Sequence, residues 1–66
     1  MRLITIEEKN GGSRIINTEQ ISSIYKDNQG DVAISLSHGL VVTKFTDIEH
    51  AADYVRRAAT LSLVAK

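Results

Sequence analysis

Asp47, His50 and Asp53 recur every third residue, and Ser37 stands directly before His38. Imidazole beside carboxylate is the raw material of a metal site, and serine beside histidine is the minimum of a nucleophile and its base. Neither set is complete. On a helix three-residue steps drift across the surface, so Asp47, His50 and Asp53 do not share one narrow face. They offer at most two ligands together, where zinc needs three or four, and His38 is the only further imidazole. Ser37 and His38 adjoin Gly39 in a stretch that reads as a tight turn, where neighbouring side chains point apart and no buried carboxylate orients the ring. The expectation is no catalytic residue, no metal site and no cofactor. An enzyme would require a pocket with polar groups converging on His38 or His50.

Phosphate chemistry fares no better. The four glycines, Gly11, Gly12, Gly30 and Gly39, are spread over three turns. The strand-to-helix junction Phe45-Thr46-Asp47 carries an acid where a phosphate loop carries glycine. The one candidate basic patch is Arg14, Lys44, Arg56 and Arg57. Its alternative is a solvated face on which Glu49 and Asp53 partner the helix arginines at i+3 or i+4. The aromatic set for base stacking is only Tyr25, Phe45 and Tyr54.

The elements that must position these residues are marked by a change of period. Arg2 to Glu8 alternates, with Ile4 and Ile6 on one face and Leu3 and Thr5 on the other, which predicts a first strand. Asn10-Gly11-Gly12 signals a hairpin, since Asn and Gly tolerate positive φ, and Arg14 to Asn17 is its return strand. Asn17 to Gln20 is turn-prone, with room for one helical turn. Ile21 and Ile24 lie three apart, so both point inward only if a bulge falls at Ser22-Ser23. After the turn Asp27 to Gly30, Val32, Ile34 and Leu36 alternate with small residues. Ser37-His38-Gly39 then leads back into a strand from Leu40 to Phe45.

At Thr46-Asp47-Ile48-Glu49 the period becomes helical. Thr46 and Glu49 have the spacing of a capping box, and Asp47 and Glu49 place negative charge at the helix N-terminus. Ile48, Ala52, Val55, Ala59 and Ser62 form the apolar stripe, flanked by Ala51, Ala58 and Leu63. Tyr54, Leu61 and Val64 lie roughly opposite it, in line with His50 and Arg57. They are either scattered surface residues or a second stripe that contacts another copy or a partner.

Size and composition bound the function classes. Sixty-six residues make one domain, and so short a chain buries only about 60% of its unfolded surface. Cysteine is absent, so disulfides and thiolate metal sites are excluded as staples, and self-association is the remaining common one. Eight basic and eight acidic side chains cancel, which disfavours nucleic acid as a partner because counterion release rewards a basic excess. No apolar run approaches the ~20 residues of a membrane span. Acid at Glu7-Glu8 arrives too early for a secretory leader, so the expected location is cytoplasmic.

The order Asn10-Gly11, Ile16-Asn17, Ile21 and Ile24, Asp31 to Leu36, Gly39, a valine-rich strand and an acid-capped helix resembles the small flagellar-operon proteins of the FlbD (SwrD) type, over about residues 4–55. The chain departs from that pattern at Thr18, where the family has proline, and at Ser22-Ser23, where it has acids. The resemblance implies a small cytoplasmic accessory protein with no catalytic residues.

Together these readings predict a single α+β domain: an antiparallel meander of four or five short strands, covered on one face by a C-terminal amphipathic helix. The predicted core is Ile4, Ile6, Ile16, Ile21, Ile24, Val32, Ile34, Leu36, Val41 and Phe45 from the strands, with Ile48, Ala52, Val55 and Ala59 from the helix. The expected function is a non-catalytic protein-interaction module, an adaptor or regulator, homo-oligomeric, working through an exposed strand edge at Arg2 to Glu8 or Leu40 to Phe45. The alternative is a small nucleic-acid-binding accessory protein using the basic patch.

Overall fold

The computed structural model describes the backbone of residues 2–64 and the side chains of residues 2–59. Five strands precede one helix: β1 (Leu3–Glu7), β2 (Ser13–Asn17), β3 (Ile21–Lys26), β4 (Val32–Leu36), β5 (Gly39–Val42) and α1 (Ile48–Val64), with one 3-10 turn at Thr18–Gln20 between β2 and β3. The α+β class and the antiparallel pairing are as the sequence predicts. The strands form two sheets rather than one meander: β1-β2, and β3-β4-β5. They meet where the bridge Glu8↔Thr43 joins the end of β1 to the end of β5.

Two of the three hairpins share one construction. Glu8 N–H donates to the Gly12 carbonyl and Gly11 N–H to the Glu8 carbonyl; Asp27 N–H donates to Asp31 and Gly30 N–H to Asp27 in the same pattern. Gly11 and Gly30 take φ of 101° and 84°, the left-handed position that follows a type I turn in a three-residue loop. Asn10 does not share the positive φ that the Asn-Gly pair suggested. Its side chain instead accepts from Gly12 N–H at 3.0 Å, as Asp27 accepts from Gln29 and Asp31.

The bulge in β3 is present as a register shift between Ile21 and Ser23. It lets Ile21 and Ile24 both pack against the core of Ile4, Ile6, Ile16, Ile34 and Val41. Leu40 to Phe45 is less regular than its sequence suggests: ladder pairing in β5 ends at Val42. Thr43 then sinks its hydroxyl, which donates to the Val32 carbonyl at 2.8 Å and accepts from Phe45 N–H at 3.2 Å. Thr43 is fully buried, as is Ala33. Neither was expected in the core.

The helix starts one residue later than a Thr46 cap would place it. Asp47 is the cap: its carboxylate accepts from His50 N–H at 3.2 Å, and its carbonyl from Ala51 N–H at 3.1 Å. The buried stripe is also rotated. Ala51 is fully buried, Val55 and Ala58 pack on the core, and Ile48 is 37% exposed. Two corrections follow: Ile48 leaves the predicted core, and Ala51 and Ala58 replace Ala52 and Ala59 as the facing alanines. The cause is Tyr54. With Ala51, Val55 and Ala58 it completes an i, i+3, i+4, i+7 set. Its hydroxyl donates to the Thr5 carbonyl at 2.7 Å, and its ring meets Phe45 at 5.5 Å between centroids. Anchoring Tyr54 on β1 turns the helix to that angle.

Candidate functional site

The residues that could do chemistry are dispersed. Ser37 donates its hydroxyl to the Gln20 carboxamide, not to His38, and His38 is exposed in the β4–β5 turn. His50, exposed in the first turn of α1, has Asp47 at 3.7 Å. Asp53 serves the arginines instead, at 2.9 Å from Arg57 and 4.0 Å from Arg56. Among the described residues no group of three or more His, Asp or Glu side chains is placed to hold a metal ion.

The basic patch does not assemble as one surface either. Arg14 on β2 pairs with Glu8 at 3.1 Å, and Arg56 and Arg57 share Asp53 on α1. Lys44 borders a shallow cleft of about 340 Å³ with Thr5, Glu7, Phe45 and Tyr54. Lys9 makes a close ion pair, 2.7 Å from Asp31. That contact ties the first hairpin to the second, and it holds the Lys9 ammonium above its ordinary pKa through the Asp31 hydrogen bond and charge, with Asp27 adding to it.

What the fold does concentrate is strand edge and apolar surface. Backbone phase decides which edges are open. The ladder is bracketed by Glu8 N–H to Gly12 and Thr18 N–H to Arg2, so the even-numbered residues of β1 exchange bonds with β2. The odd ones, Leu3, Thr5 and Glu7, turn their backbone groups to the far side. There the Thr5 carbonyl takes the Tyr54 hydroxyl and the Glu7 carbonyl takes Lys44 N–H at 3.1 Å. The far side of β1 is therefore engaged at Thr5 and Glu7. Val42 on β5 accepts from Lys9 N–H at 2.9 Å, so the Leu40 to Phe45 edge is engaged at its end as well.

By the same phase Ser13, Ile15 and Asn17 aim their backbone N–H and C=O groups away from β1. Among the described residues β2 has β1 as its only ladder neighbour. Of the terminal strands of the other sheet, β5 is engaged at Val42, and β3 is guarded by its bulge, by Lys26 and by α1 packed against it. β2 has no such guard: no bulge, no lysine, and no proline anywhere in the chain. Beside this edge lies the largest apolar exposure. Ile16 turns into the core, so its neighbour Ile15 must face out and is 67% exposed; Leu3, diagonal to it across the ladder, is 53% exposed.

Of the contact residues expected from the helix, Tyr54 is exposed at the surface, where its hydroxyl donates to Thr5 and its ring meets Phe45. The side chains of Leu61 and Val64 lie outside the described residues. The sequence reading missed Ile15. Its signal was the pair Ile15-Ile16, since adjacent residues of a strand face opposite ways and only one can enter a one-sided core.

Compared with known proteins, the chain matches no family model, and neither a curated relative nor a similar solved structure was found.

Proposed function

We propose that this chain is a non-catalytic protein-interaction module, an adaptor or regulator that acts by contact in the cytoplasm and associates with itself. One observation carries the reading: the outer face of the β1-β2 ribbon exposes Leu3 and Ile15 directly beside the unguarded edge of β2. Exposed apolar side chains next to open backbone donors and acceptors supply both elements of strand-addition binding, affinity from the main chain and selectivity from the side chains. Arg14, Arg56 and Arg57 each have a carboxylate within 4.0 Å, which competes with phosphate for them. The resemblance to small flagellar-operon accessory proteins, which implies no catalytic residues, points in the same direction.

The test is a paired substitution, Leu3→Ser with Ile15→Ser. Both side chains are exposed, so the variant should melt within about 0.5 kcal/mol of the parent. It should also lose whatever association the parent shows by light scattering and by affinity capture from its host. Association that survives both substitutions would contradict the reading.

A further inference from the structure

We infer that the occupant of the β2 edge is a second copy of this chain, bound antiparallel about a two-fold axis through Ile15. This rests on the contact-module reading and names its partner. The register follows from the backbone phase. Ser13, Ile15 and Asn17 carry the outward groups, the Asn17 carbonyl being engaged by the 3-10 turn it caps, and an axis at Ile15 is the arrangement that pairs all three residues: Ile15 opposes Ile15 of the other copy, and Ser13 opposes Asn17. An axis at Arg14 or Ile16 leaves an outward residue unpaired.

The side chains suit that register. Ile15, the most exposed large apolar residue among those described, meets its own counterpart at the dyad. At either end the hydroxyl of Ser13 faces the carboxamide of Asn17, whose oxygen accepts from Glu19 N–H at 3.0 Å and whose NH2 is left to donate. Two identical edges approach only if they do not repel, and the single charged residue of β2, Arg14, already has Glu8 at 3.1 Å. The whole chain is neutral, so long-range repulsion between copies is also absent. The product is a continuous sheet, β1-β2-β2-β1, with Leu3 and Ile15 of both copies along one face. The ladder is only ~17 Å long, so the dimer dissociates on dilution.

The experiment is sedimentation equilibrium over a concentration series. The parent should rise from 7.3 kDa toward twice that mass. Ile15→Lys sets like charges against each other at the dyad, and should weaken the dimer by at least about tenfold while thermal melting stays near the parent's. Ile15→Glu should do the same. An equimolar mixture of the two variants should recover the dimer, because an axis through residue 15 then opposes lysine to glutamate.

A parent that stays monomeric at every concentration overturns self-pairing. If that monomer nevertheless captures another protein and Ile15→Lys abolishes the capture, the contact-module reading stands without it; if nothing is captured, both fall. A dimer indifferent to Ile15→Lys, or a mixture that fails to pair, places the axis elsewhere and overturns the inference.

Discussion

Thr43 is the residue on which the joining of the two sheets turns. Its hydroxyl both donates and accepts in a fully buried position, and its flanking segment carries the bridge to Glu8. Thr43→Val keeps the shape and deletes the hydroxyl, so Phe45 N–H loses its acceptor. The expected cost is about 1–3 kcal/mol in urea denaturation, and a change inside experimental scatter would show that Phe45 N–H finds another partner. Lys9 is the opposite case, exposed and charged. Its pKa in the folded chain is raised, so its contribution is fully present below the unfolded value of about 10.4 and disappears as pH climbs through the folded value. Chemical-shift titration of the Lys9 Cε protons should give a midpoint that Asp31→Asn lowers. A midpoint unmoved by Asp31→Asn would mean the 2.7 Å contact is not maintained in solution.

Elements differ in how plainly their sequence announces them. Alternation made β1 and β4 readable, because β1 buries one face and the large side chains of β4 alternate with small ones, even though Ala33 is buried as well. The β3 bulge was legible for the same reason: two isoleucines three apart reach one face only through an inserted residue. The rotation of α1 was not. Alanine occurs as neighbouring pairs at 51-52 and 58-59, so either member of each pair fits an apolar stripe. The choice is made by a tyrosine hydroxyl and a carbonyl 49 residues apart, a contact no local pattern records. Thr46 lost the cap to Asp47 because both residues can accept amide hydrogen bonds, and spacing alone does not rank them. The paired hairpins supply the prediction at this scale. A Cβ added at Gly30 meets no atom within 4 Å, so Gly30→Ala isolates backbone strain at φ 84°. Its cost should be about 1–2 kcal/mol. A neutral result would mean the loop relaxes into another turn type.

At the scale of the whole molecule, protection is distributed unevenly. Tyr54 and Lys44 engage the far side of β1, a bulge and Lys26 guard β3, and Lys9 engages the end of β5, while among the described residues β2 has no further strand beside it. A chain of this size with no disulfide has little core to spare, and a shared strand edge adds buried surface that one copy cannot supply alone. The sequence pointed to an exposed edge without saying which strand supplies it, because that depends on the meeting of Glu8 with Thr43 and on the reach of Tyr54. Both are tertiary facts. On the helix surface expected to make contact, Tyr54 spends its hydroxyl on Thr5 yet keeps part of its ring exposed.

Amide hydrogen exchange along β2, followed by NMR as a function of protein concentration, tests the open edge most directly. Arg14 and Ile16 donate within the β1-β2 ladder and should be protected at every concentration. Ser13, Ile15 and Asn17 should exchange freely in dilute solution and gain protection together as the concentration rises. Protection of Ile15 that is already complete at high dilution, or that never develops, would contradict the account.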